Sequence, residues 1–237
     1  MAPRLRGIGK SYGELRVLDG LELELDPATM PVILGPSGCG KTSLLRILAG
    51  LDADHEGSRA DFAAFRFSFV FQEPRLLPWA TILDNVLFAL AGSELEGEAA
   101  RSRATALLAE SGLGDSLDRR PSELSGGMRQ RAALARAFSY PSDFILLDEA
   151  FQSVDVRLKR GLMDLFLELR RNEGRGALLV THDPTEALYL ADRVIILSER
   201  PARIVDDFAI GLGREARKPG NPALAPFEAR IYRGLNF

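Results

Sequence analysis

The stretch from Leu34 to Gly50, LGPSGCGKTSLLRILAG, constrains the fold of this chain more than any other. It carries the pattern G-x-x-x-x-G-K-[ST] at Gly35, Gly40, Lys41 and Thr42, behind the apolar residues Val32, Ile33 and Leu34. An apolar strand, a Gly-rich loop and a good helix-forming run are the context that a phosphate-binding loop requires. Glycines let successive backbone N–H groups curl around an anion, and the helix starting near Lys41 adds its positive dipole end. Pro36, Ser37, Gly38, Cys39 and Ser43 complete the loop. Lys41 reaches the β- and γ-phosphates in such a loop, and the Thr42 hydroxyl ligates Mg²⁺. The alternative is a Gly-rich turn before an ordinary helix, but the apolar lead-in favours the loop. The pattern points to a bound nucleoside triphosphate.

The rest of the chain reads as an α/β fold built around this loop. Residues 1–31 alternate loosely, with turn formers at Tyr12-Gly13 and Asp26-Pro27, and predict short antiparallel strands. Leu44, Leu45, Ile47 and Leu48 make the following helix apolar around much of its circumference, and Gly50 is a plausible stop. Residues 52–66 are polar, and Phe67–Phe71 reads as a buried strand. From Thr81 to about Leu124 the pattern is helical, punctuated by Gly112 and Gly114, and a further helix is predicted over 125–138. The apolar runs at 144–147, 177–180 and 194–197 alternate with helical patterns at 157–171 and 184–190. That alternation is the signature of a parallel sheet covered on both faces. The expected architecture is a P-loop NTPase core with a mainly parallel sheet, a small N-terminal antiparallel β part and an inserted helical subdomain. Residues 1–80 and 125–205 would form the core, 81–124 the helical subdomain and 206–237 a C-terminal tail.

Ligands of an open parallel sheet bind beyond the carboxyl ends of its strands. Asp148 and Glu149 follow one apolar run, Thr181 and His182 another, and Gln72 follows Phe67–Phe71. An acid pair beside a phosphate loop suits metal and water chemistry: one carboxylate holds the metal shell and the other orients the attacking water. His182 could contact a γ-phosphate or a water, and Gln72 a metal or a water. Singly, each has a plainer role: loop acids, a capping histidine, a surface glutamine. Together, behind a phosphate loop, they favour hydrolysis. In LSGGMRQRAALARA, Ser125, Gly126 and Gly127 open a helix and form a second anion-binding element. One chain with one nucleotide has no need of two, which suggests a dimer whose loops cover each other's nucleotide. The alternative is an ordinary helix start with Arg129, Arg131 and Arg136 as a solvated face.

Composition excludes other classes. The net charge of -3 argues against a nucleic-acid binder working by bulk electrostatics. Cys39 is the only cysteine, so there is no disulfide framework or thiolate metal cluster. Loop dipoles could lower its pKa, but a small space-filling role is favoured. No apolar run has bilayer-spanning length and the N-terminus lacks a signal-peptide pattern, so a cytosolic chain with at most a peripheral membrane role is expected.

GPSGCGKT, the Gln72 segment FQEPRLLPW, LSGGMRQR, FILLDE and Thr181-His182-Asp183 occur in this order over most of the chain, from about Tyr12 to about Leu197. Together they resemble the ATP-binding subunits of ABC transporters, and within them FQEPRLLPW and LSGGMRQR are most like the nitrate, sulfonate and taurine importer branch. The resemblance implies that Tyr12 stacks on adenine, Gly35 to Ser43 hold the phosphates, and Gln72 couples the γ-phosphate to the membrane subunits. Ser125, Gly126 and Gly127 would contact the other subunit's ATP. Asp148, with Thr42 and Gln72, would support Mg²⁺, Glu149 would polarise the water and His182 would complete the site. Asp155 would belong to a loop linking the two sites. The implied partners are integral membrane permease subunits, a solute-binding protein indirectly, and a second copy of the chain on ATP binding, with no nucleic acid. The implied location is the cytoplasmic side of the cell membrane, as a peripheral subunit. The sequence departs from the family pattern at Ala150, at Gln152 to Asp155 and in a short 52–66 segment. The competing reading is a soluble ATPase of the same superfamily acting on DNA, on ribosomes or in cofactor assembly. It lacks support here because the long coiled-coil inserts and doubled cassettes usual in the DNA and ribosomal types are missing.

Overall fold

The structure, a computed structural model, describes residues 2–152 and 154–235. In chain order its strands are β1 (Arg4–Tyr12), β2 (Leu15–Glu24), β3 (Pro31–Leu34), β4 (Glu56–Ser58), β5 (Phe67–Phe71), β6 (Phe144–Asp148), β7 (Gly176–Thr181), β8 (Arg193–Leu197) and β9 (Ile204–Ala209). Its α-helices are α1 (Lys41–Leu48), α2 (Ile82–Leu90), α3 (Gly97–Glu110), α4 (Gly126–Ser139), α5 (Val156–Glu173), α6 (Pro184–Leu190) and α7 (Ala225–Gly234). The chain forms two compact units, Met1–Phe65 with Gly176–Phe237, and Arg66–Arg175.

In the first unit the N-terminal residues make the expected antiparallel pair, β1 on β2, and β4 adds to the other side of β1. A side chain at Gly57 of β4 would collide with the Gly7 carbonyl oxygen, so this third strand depends on a glycine for its close approach. β3 is buried along its whole length and lies parallel to both β7 and β8. Such a strand has no solvated face, which is why Val32, Ile33 and Leu34 read as a continuous apolar run. On α1, Leu44, Leu45, Ile47 and Leu48 are all buried, and Gly50 ends the helix with φ +74°.

β9 is not apparent in the sequence. It pairs antiparallel with β8 and runs across residue 206, where the sequence suggests a tail begins. Its Asp206 and Asp207 resemble loop residues, yet Asp207 pairs with Arg193 of β8 and Asp206 with Arg230 of α7. Charged side chains on such a strand protect it from pairing with another chain.

In the second unit β5 and β6 are parallel, with Phe71 opposite Asp148. The expectation of a buried β5 needs correction: Ser68 and Val70 are buried, but Phe67, Phe69 and Phe71 are half-exposed. The rings cover that face for themselves, Phe69 stacking on Phe71 at 5.3 Å and Phe67 on Phe144 at 6.1 Å. α2 opens with a capping box in which Thr81 and Asp84 satisfy each other's backbone N–H groups. Buried Asn85 ties the segment before the helix in place, accepting from Leu77 N at 2.7 Å and donating to Thr81 O at 2.8 Å. The arginines of α4 do not form a solvated face. Arg129 donates to Leu124 O at 2.6 Å, Arg131 to Ser111 O at 3.1 Å, and Arg136 to Pro74 O and Arg75 O at 2.8 and 2.7 Å.

Candidate functional site

In the first unit the phosphate loop leaves the carboxyl end of β3, where Leu34 lies opposite Thr181 of β7. Gly35 and His182 therefore leave neighbouring strands at one edge, and both line a cavity of about 380 Å³ with Pro36, Ser37 and the chain end near Gly234. Gly38 and Gly40 take left-handed backbone angles, φ +78° and +116°. At Gly40 a side chain would also meet Val17 and Leu18 at 2.7 Å, so only glycine turns the loop into α1. Lys41 is buried, and its ammonium donates back to Gly35 O at 2.8 Å and Pro36 O at 3.0 Å. The loop is thus closed on itself around its own lysine, with Ser37 and Thr42 exposed.

Cys39 is buried in the same loop, and burial pushes its thiol pKa up although Lys41 pulls the other way. Desolvation outweighs the loop dipoles expected to lower it, and the residue fills space. Tyr12, half-exposed at the end of β1, hydrogen-bonds Ser43 through its hydroxyl at 3.1 Å. Lys10 stands 4.8 Å from the Tyr12 ring centroid and is held by Asp52 at 2.9 Å. His182 is exposed, and capping of α6 falls to Asp183, whose carboxylate accepts from Thr185 N at 2.8 Å. The Thr181 hydroxyl donates to buried Glu186 at 2.7 Å and accepts from Asp183 N at 3.1 Å, fixing the backbone on both sides of His182.

In the second unit Gln72 and Glu149 leave the ends of β5 and β6 side by side, because Phe71 pairs with Asp148. Glu149 has φ +50°, a conformation uncommon for a residue with a side chain. Backbone strain of this kind costs on the order of 1–3 kcal/mol and persists only where the surroundings enforce it. Ser125 and Gly126 are exposed at the start of α4, and the Ser125 hydroxyl accepts from Met128 N at 3.3 Å. Asp155 caps α5 by accepting from Arg157 N at 2.9 Å, while Ser153, in the segment that departs from the family pattern, lies outside the described residues.

Among the described residues no group of three or more His, Cys, Asp or Glu could hold a metal ion. Mg²⁺ prefers substrate phosphates plus one or two protein oxygens to an all-protein cage, so such a cluster is not what an ion arriving with a nucleotide requires. No helix among the described residues is long and apolar enough to cross a membrane.

Comparison with known proteins decides the family. Residues 18–152 match the family model described as "ABC transporter". The chain belongs to the ABC transporter family. It is an ATPase on a P-loop NTPase core. The chain is 42% identical, over 96% of its length and 84% of the relative's, to an aliphatic sulfonates import ATP-binding protein of Burkholderia lata. It is 40% identical to the protein of the same description from Corynebacterium glutamicum, over 99% of this chain and 94% of that one. A solved structure titled as the dimeric form of a bacterial ABC transporter cassette superposes with a TM-score of 0.74 at 28% identity, covering 88% of this chain and 99% of the other.

Sequence reasoning missed some residues that hold this ABC cassette's motifs in place. Gln130 lies inside LSGGMRQR, but only the structure shows its side chain turned inward to two carbonyls. Glu186 looks like an ordinary first-turn acid of α6, yet it is fully buried. Lys10 looks like a polar residue of an alternating strand, yet it is 3% exposed. A buried charge inside an alternating or helical pattern leaves no periodic signal.

Proposed function

We propose that this chain is the ATP-hydrolysing subunit of an importer for aliphatic sulfonates or chemically similar small anions. The observation that carries the reading is the strand register: Leu34 opposite Thr181, and Phe71 opposite Asp148. In each unit it sends the residues suited to phosphate and water chemistry out of one edge of a parallel sheet. The import role is supported by relatives with that description that align over nearly the whole chain.

In this reading Lys41 exchanges the carbonyls of Gly35 and Pro36 for the β- and γ-phosphates, and Tyr12 stacks on the adenine. Thr42, Gln72 and Asp148 would hold Mg²⁺, which neutralises charge on the phosphates when bound. Glu149 orients and polarises the attacking water, and His182 completes the contacts to the γ-phosphate. Ser125, Gly126 and Gly127 close on the nucleotide of a second copy, so the working unit is a dimer. The domain reading is a core of 1–80 and 125–205, a helical subdomain of 81–124 and a tail of 206–237. Integral membrane permease subunits are the partners, and a solute-binding protein acts through them. The chain sits peripherally on the cytoplasmic face.

Purification with the cognate permease tests this proposal. The expected result is a stable complex whose ATP hydrolysis rises several-fold when sulfonate-loaded binding protein is added. A chain that leaves the solubilised membrane alone, with an ATPase rate indifferent to permease and solute, refutes it.

A further inference from the structure

Gln130 of α4 is 1% exposed, and its carboxamide nitrogen donates to Phe71 O at 3.1 Å and to Ala150 O at 2.6 Å. Phe71 immediately precedes Gln72, and Ala150 immediately follows Glu149. One side chain therefore bridges the starts of the two turns that carry the proposed hydrolytic residues, from the helix that begins after Ser125. Its Oε1 is buried without a hydrogen-bond partner among the described residues. Flipping the amide would set that oxygen against two carbonyls, so the orphaned atom follows from the bridge. A methionine of similar length would fill the space with no orphan, so packing alone does not account for a glutamine here. Glu149 meanwhile holds φ +50°, and the carbonyl of the next residue, Ala150, is the one Gln130 anchors. Farther along α4, Arg136 grips Pro74 O and Arg75 O, so the same helix holds the Gln72 segment at a second point.

We propose that Gln130 is a positioning residue for ATP hydrolysis. It locks the peptide before Gln72 to the carbonyl of Ala150, the residue after Glu149, and so holds the Glu149 carboxylate in the strained conformation from which it acts on water. Displacement of the Gln72 segment is thereby passed to Glu149 through a single carboxamide. The inference rests on the reading of Glu149 as the residue that polarises water.

The test measures ATP affinity and turnover of the full chain as Gln130→Met, Glu149→Gln and the double variant, with folding checked by thermal melting. Q130M is expected to lower kcat by about 10- to 100-fold, the scale of a small misplacement of a reacting group, while the Kd for ATP stays within about twofold. In the Glu149→Gln background, adding Q130M should remove no further residual turnover, because the bridge acts through Glu149. Wild-type kcat in Q130M, a Kd that rises in step with the loss, or independent multiplicative losses in the double variant would each overturn the proposal. Should Q130M fail to fold, Q130N keeps the amide but is one methylene too short to reach both carbonyls. It is expected to show the same loss, and wild-type turnover in folded Q130N is equally decisive against. Wild-type turnover in Glu149→Gln removes the reading of Glu149 and the proposal with it. That outcome is distinguished from failure of the bridge alone by which single variant keeps its rate.

Discussion

The phosphate loop and the Glu149 turn are held in place in opposite ways. The loop organises itself: Gly38 and Gly40 supply backbone angles that other residues avoid, and Lys41 closes the ring onto Gly35 and Pro36. The Glu149 turn has no such glycines. It carries a positive φ on a residue with a side chain, and the carbonyl of the next residue, Ala150, is anchored by Gln130 of α4. On the proposed roles, a binding element that meets every nucleotide alike can be built once from backbone, whereas a hydrolytic element held by another helix can be moved by it. Damage to the first region should thus cost affinity, and damage to the second should cost turnover or order.

Lys41→Ala should break the contrast most severely. Losing charge-assisted bonds worth about 1.5–3 kcal/mol each should weaken ATP binding by roughly 100-fold or more. Tight binding by that variant, measured by titration with a fluorescent ATP analogue, would discredit the phosphate-loop assignment. Arg136→Ala removes both bonds to the Gln72 segment and should destabilise it locally by about 2 kcal/mol. Amide exchange over residues 73–77 should quicken while ATP affinity stays the same. A drop in affinity without faster exchange would erase the distinction between the regions.

Thr81→Ala takes the cap from α2 and should cost about 1 kcal/mol of stability, seen as a shift of a few degrees in Tm, with ATP binding unchanged. The smallest effect is at Cys39. Its pKa is raised in the folded chain, so alkylation near neutral pH should be much slower than in the unfolded chain. The raised value also sets the sign of its stability contribution. That contribution is complete below the ordinary thiol range and fades only as pH rises through the folded value. Rapid alkylation of the native protein would place the thiol in solvent and reopen the loop's packing.

These contrasts also account for what the sequence reveals. The loop is legible because its demands are local: glycines where φ is positive, an apolar strand before, a helix after. β6, β7, β8, α5 and α6 are legible because burial on both faces leaves continuous apolar runs between helical patterns. β9 is hidden by Asp206 and Asp207, whose partners Arg230 and Arg193 lie elsewhere in the chain. The half-open face of β5 is hidden because aromatic residues read as core whether or not anything covers them. At the candidate site the residue types at strand ends are visible, but the supports are not. Gln130 and Glu186 act through side chains turned inward to partners that only tertiary structure supplies.

The most direct test of the separation between binding and turnover is the Glu149→Gln variant, followed simultaneously for bound ATP and released phosphate. The account predicts wild-type ATP affinity, with phosphate release reduced by two orders of magnitude or more, and an ATP-bound dimer that persists on gel filtration. Phosphate release at the wild-type rate, or loss of ATP binding in step with activity, would contradict it.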